Sequence, residues 1–384
     1  MWTKVPFYLK ATICLLGLFL TGLIIVLGKD IIVPITFAIL LAILLLPLNN
    51  WLEKIKTPRV VAIIISIVIA FTILMGIIYF MSTQVTAFTS DMPAIKKQLL
   101  LHANTVQSWV RQTFHITGNK QVEYFNNATE SIKLENYVQK TLLSITDTLV
   151  LLVLLPVYTF LILYYRSMLC RFFKDIFPAT HSTHVNEVLN ESKSIIQNYM
   201  VGLMMEMAIV TVLNAVGFLI IGIQYAIFLA VLSAVLNIIP YIGMLIATIF
   251  CMLVTLTTAP HFSDILWVWV VLLVVQFIDN NLLMPKIVGS KVKINSLITI
   301  IGVIIGGALC GMSGMFLAIP FIAILKVIFD KTDGMKPWGM LLGDDITVYE
   351  PSKIYRRITT WRQKPEAIVP VKVDISDLEE TPAL

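Results

Sequence analysis

Two apolar stretches, Tyr225 to Ala259 and Ile294 to Phe329, are each too long for one membrane-crossing helix, and each is interrupted near its middle. The first breaks at Asn237-Ile238-Ile239-Pro240-Tyr241-Ile242-Gly243, the second at Gly306-Gly307-Ala308-Leu309-Cys310-Gly311-Met312-Ser313-Gly314. Pro and Gly release backbone groups that lipid cannot satisfy, so such breaks survive only inside protein or beside a water-filled cavity. That is the pattern of a transporter.

Composition agrees. Hydrophobic residues make up 58% of the 384 positions and charged residues 13%, against about 25% charged in an ordinary soluble domain. The chain therefore reads as an all-α, polytopic membrane protein. Cys14, Cys170, Cys251 and Cys310 stand singly in or beside apolar segments, which offers neither a zinc spacing nor a disulfide framework. The apolar run that ends near Gly28 lacks a small-residue cleavage pattern and reads as a retained first span.

Unbroken spans are predicted at 8–28, 31–48, 60–82, 142–165, 200–222 and 264–284, about six full crossings beside the two broken stretches. The organisation that follows has three N-terminal spans as a scaffold (1–82) and a small extracytoplasmic cap of amphipathic helices (83–141). The fourth span and a cytoplasmic amphipathic connector come next (142–199), then a transport core (200–329) and a cytoplasmic tail (330–384).

Lys54, Lys56 and Arg59, then Arg166, Arg171 and Lys174, then Lys286, Lys291 and Lys293 follow the second, fourth and sixth spans and mark the cytoplasmic side. From a cytoplasmic N-terminus, a single crossing through 225–259 would put the last cluster outside. A re-entrant hairpin keeps it inside. Ala226 to Ile239, at 1.5 Å per residue, reaches only about 21 Å against a core of about 30 Å. The same treatment of 294–329 leaves the C-terminus cytoplasmic as well. Span then hairpin, repeated with opposite orientation, is the inverted plan of many secondary transporters.

Gln197-Asn198-Tyr199-Met200-Val201-Gly202, then Ile239-Pro240-Tyr241-Ile242-Gly243, then Gln276 through Gly289, then Gly306-Gly307 through Gly311, Gly314 and Ile319-Pro320 resemble, in order, the signature of the autoinducer-2 exporter (AI-2E) family of permeases. Pro337-Trp338 to Leu342-Gly343 is similar to a short segment often seen after its last hairpin. The resemblance implies a multi-pass permease of the bacterial inner membrane and a homo-oligomer, with a pentamer suggested by the resemblance alone. It also implies a cargo that in some members is the signal autoinducer-2 and in others Na⁺ or Li⁺ exchanged for protons. The family commonly carries Glu where this chain has Asp279, so the charge is kept on a shorter side chain.

Asp279 and Glu206 are the intramembrane carboxylates, and they sit at matching depth from the cytoplasmic ends of their spans. Together they could hold a proton or cation. Otherwise Asp279 is a polar lock ahead of Pro285, and Glu206 snorkels or pairs with a cytoplasmic Lys. Candidates for lining the substrate cavity are Asn237, Pro240, Tyr241 and Gly243 at the first break and Gln276, Asn280 and Asn281 beside Asp279. At the second break they are Gly307, Gly311, Ser313 and Gly314. Asp279, Asn280 and Asn281 advance by about 100° each, so they cannot all face one neighbour. Close helix packing is the competing role of the glycines, and interhelical hydrogen bonding is the expected role of Asn214.

Enzyme readings fare poorly: the five histidines lie outside the spans, and no nucleophile motif or phosphate loop is present. No cofactor, metal site or nucleic-acid partner is expected, and the partners are the bilayer and a small polar solute, H⁺ or Na⁺. The expected function is a gradient-driven permease or exporter of an autoinducer-2-like solute, or of a monovalent cation against protons. A non-transporting envelope scaffold and a channel are the alternatives.

Overall fold

The computed structural model describes residues 6–91, 145–178, 182–239, 242–261, 263–289, 294–332 and 334–344, with positions 93, 97, 101 and 108 besides. Apart from those four positions, the predicted cap beyond Asp91 lies outside these residues, as do the tail beyond Asp344 and Pro240 and Tyr241 at the first break. The described residues are almost wholly helical, as expected of the class.

The first departure is at the N-terminus. One helix, α1 (Phe7–Lys54), covers both the 8–28 and the 31–48 spans. Nothing at Gly28-Lys29-Asp30 forces a reversal, and the first left-handed residue is Lys56, at the turn into α2 (Arg59–Ser90). Pro34 and Pro47 are accommodated inside α1. At 48 residues the helix is about 70 Å long, and its first half is exposed, with buried positions starting at Pro34. A single helix puts Phe7 and Lys54 at opposite ends, so a cytoplasmic N-terminus, which rested on counting two spans, does not follow from it.

Then come α3 (Ile145–Tyr164), α4 (Arg166–Asp175) bent 64° from it, and α5 (Ser182–Ile221). The predicted connector is thus α4 plus the first turns of α5. Arg59 donates to the carbonyls of Leu163 and Tyr164 at 3.1 and 2.7 Å, and Arg166 pairs with Glu53 at 2.9 Å. The first two cationic clusters therefore meet at one end of the bundle, satisfying carbonyls that the end of α3 leaves open.

The first hairpin is two short helices, α6 (Ala226–Asn237) and α7 (Ile242–Thr258). They run antiparallel: a Cβ on Gly243 would stand 1.7 Å from the Leu236 carbonyl oxygen, and the Cys251 thiol faces the Leu229 carbonyl. Only glycine fits at 243. Next, α8 (Ser263–Ile278) runs into an 11-residue π-helical segment, Asp279–Gly289, that contains Pro285.

The second hairpin is α9 (Ser296–Lys331), which is long enough to cross a membrane but does not run straight. Cys310 leaves helical geometry and Gly311 sits at φ 63, ψ −147, a conformation that a Cβ would oppose. Beyond it the chain folds back. A Cβ on Gly306 would lie 2.3 Å from the Gly314 carbonyl oxygen and one on Gly314 2.0 Å from that of Gly306, while Gly302 faces Ile322 and Ala318. Both ends of α9 come together through α10 (Lys336–Leu342). The Asn295 amide donates to the Leu342 carbonyl at 3.0 Å, and Ile294 bridges to Gly343.

Candidate functional site

The two hairpins meet. Ile239 and Ile242 of the first pack with Val303, Met315 and Ala318 of the second. Contact is made along the arms near the break, not at its tip, where Met312 is 64% exposed.

Beside this contact lie the two carboxylates. A stripe of buried residues on α5, Ile196, Tyr199, Leu203, Glu206, Val210, Asn214 and Phe218, recurs at helical spacing, so burial of the apolar members carries Glu206 and Asn214 inward. Glu206 is 4% exposed and Asp279 2%, and their carboxyl groups are close neighbours. Asn237, the last residue of α6, donates from Nδ2 to Asp279 Oδ2 at 2.9 Å. Glu206 Oε2 and Asp279 Oδ1 are buried without a partner. Two bare carboxylates are acceptors only and cannot satisfy each other; a proton, a cation or an outside donor can. Glu206 does not snorkel.

Next to the pair is a small cavity lined by Asn214, Ser233, Asn237, Thr248 and Gln276 with apolar neighbours such as Val210 and Leu272. Its free volume of about 20 Å³ is room for a single water or ion. Three amides around it each donate one N–H to a neighbouring side chain. Asn214 donates to Ser233 Oγ at 3.0 Å, Asn237 donates to Asp279, and Gln276 donates to Asn280 Oδ1 at 3.0 Å. Each amide thus keeps its carbonyl oxygen uncommitted to those bonds, and Asn214 Oδ1 is buried without a partner.

Of the predicted lining residues, the structure brings Asn237 and Gln276 to this cavity. Gly243 packs against Leu236 and is not part of its wall, and Pro240 and Tyr241 lie outside the described residues. Asn280 and Asn281 do not line it. Both are exposed, Asn280 accepting from Gln276 and Asn281 donating to the Phe277 carbonyl at 2.8 Å. The triplet spreads around the helix, and only Asp279 turns inward. Gly307 packs on Met315, Gly311 makes the reversal, Gly314 meets Gly306, and Ser313 is half-buried. These four build the second hairpin and are absent from the cavity wall. Conversely, Ser233, Thr248 and Tyr199 were not among the predicted site residues. Tyr199 is 3% exposed, near Glu206 and seven residues before it, a spacing that puts both on one face of α5.

A family model described as AI-2E family transporter matches residues 13–334. The chain belongs to the AI-2E transporter family. This AI-2E protein is 26% identical over 313 residues to the putative transport protein YrrI of Bacillus subtilis, covering 78% of this chain and 86% of the relative. It is 24% identical to the putative transport protein YhhT of Escherichia coli K12, with 82% and 89% covered. It is 22% identical to the AI-2 transport protein TqsA of the same organism, with 83% and 90% covered. Its family and its several long apolar helices make this AI-2E chain a multi-pass membrane permease.

Proposed function

We propose that this permease is driven by an ion gradient, exchanging protons for a small monovalent cation at the Glu206–Asp279 pair. The observation that carries the reading is the adjacency of two buried carboxyl groups, each with an oxygen lacking a donor. One negative charge there is balanced by a proton or by a cation, and exchange of one for the other is antiport. The neighbouring amide carbonyls and hydroxyls are hard oxygen donors, suited to a cation that has shed water. The two hairpins and the spans before them are the moving unit, α1 and α2 the scaffold, and the protein works as a homo-oligomer in a bacterial inner membrane with its C-terminus cytoplasmic.

A second reading, export of a small polar solute such as autoinducer-2, draws on the similarity to TqsA, an AI-2 transport protein. The cavity has only about 20 Å³ free in this conformation, so α5, α6, α7 and α8, which line it, would have to move apart to admit such a solute. Reconstituted vesicles with a trapped pH dye distinguish the readings. Cation exchange is expected as collapse of an imposed pH gradient on adding Na⁺ or Li⁺, lost in Glu206→Gln and in Asp279→Asn. Gradients that outlast every alkali cation, or collapse equally in both variants, would overturn it. Labelled autoinducer-2 uptake into everted vesicles is the companion assay.

A further inference from the structure

Helix α4 has no buried residue, yet it follows a membrane span after a single intervening residue, Tyr165. On a wheel of 100° per residue, Met168, Phe172 and Phe173, with Ile176 and Phe177 just beyond the helix, occupy about half the circumference. Each is between 47% and 59% exposed. Arg171 and Lys174 stand on the opposite half, and among the described residues neither makes an ion pair. In water so many large exposed apolar side chains on ten residues would be an aggregation hazard.

The depth of α4 is set independently. Tyr164 and Tyr165, both exposed, meet edge to face at 4.9 Å at the end of α3, and the Arg59 guanidinium stands 5.8 Å from the Tyr164 ring centre. Tyrosines and arginines gathered at a span end mark the headgroup level. The 64° bend immediately after them turns α4 away from the line of α3. Arg166 is held by Glu53 and Asn50 at 2.9 and 3.0 Å, which pins the start of α4 to the end of α1.

We propose that α4 lies in the interface of the leaflet at the Tyr164 end of α3, with its Phe172 face at the acyl boundary and Arg171 and Lys174 holding anionic lipid headgroups. The occupant is lipid because the surface continues a span at headgroup depth and carries unpaired positive charge. That combination, an apolar face backed by a cationic one, is what binds a helix to an anionic bilayer surface. The surface is independent of the carboxylate site.

The test uses the full chain in vesicles of phosphatidylcholine and phosphatidylglycerol, with exposed Cys14 and Cys170 replaced by Ser and a fluorophore on Phe172→Cys. Spin-labelled lipids should quench the probe. Spin-labelled phosphatidylglycerol should be enriched around it over phosphatidylcholine by about fivefold per cation, and R171Q with K174Q should bring that ratio to one. A probe untouched by lipid quenchers, equal quenching by both lipids, or a ratio indifferent to the double variant overturns the proposal. So does self-quenching between labelled copies, which would make the face a contact between subunits.

Discussion

Asn237 Nδ2 lies 2.9 Å from Asp279 Oδ2, tying the end of α6 to the first residue of the π-helical segment. The tip of the first hairpin is thereby attached to one of the two carboxylates.

Asn237→Ala leaves Asp279 with both oxygens short of a donor in a buried site. A hydrogen bond to a charged group contributes about 1.5–3 kcal/mol, and the variant is expected to lose stability on that scale. Thermal unfolding in detergent measures it, with Asn237→Ala in an Asp279→Asn background as the control that should show a smaller loss. Equal losses in both backgrounds would mean the bond carries no such energy.

The carboxyl pair predicts a pH effect with a definite sign. If a proton and a cation compete for one site, raising the pH within the working range favours the cation by removing its competitor, and apparent cation affinity rises. Asp279→Asn should insert and assemble but show flat pH dependence, whereas Asp279→Glu should retain the slope. Transport by Asp279→Asn that follows the wild-type pH profile would make the residue structural.

Gly306 and Gly314 touch backbone to backbone, and an added Cβ at 314 would stand 2.0 Å from a carbonyl oxygen. Gly314→Ala must open the second hairpin, an overpacking strain of about 1–3 kcal/mol, whereas Gly17→Ala, with open space around it, should be harmless. Circular dichroism melts of both variants compare them directly.

Ile239 and Met315 belong to one packed cluster, so cysteines at these positions should form a disulfide under mild oxidant, since bridging needs Cα atoms within about 7 Å. The crosslink should arrest transport if the hairpins separate in the cycle, with recovery on reduction. Pairing of Ile239→Cys with Met312→Cys should be poorer, because Met312 faces outward.

For sidedness, Gln224→Cys at the turn between α5 and α6 should react with an impermeant thiol reagent in intact cells and Ser290→Cys only after permeabilisation. External reaction at 290 would make 225–259 an ordinary crossing and dismantle the inverted arrangement.

The local chemistry of the chain was enough to determine its membrane class, its helical content and the two places where helices must break. Length, apolarity and the presence of Gly or Pro act within a few residues, and the reversals at 237–243 and at Gly311 follow from them. The same locality made α1 look like two spans: the Lys29-Asp30 pair reads as a gap in hydropathy, yet it has no backbone property that ends a helix. What only the tertiary structure decided was direction around each helix axis. Asp279, Asn280 and Asn281 are consecutive polar residues whose order does not say which faces inward; packing against α5 and the Asn237 amide turned the first inward and left the other two exposed. The meeting of Glu206 with Asp279, and the gathering of three amides around one cavity, depend on how α5, α6 and α8 are rotated against one another. That rotation is set by contacts between segments far apart in the chain, which no single window of residues contains.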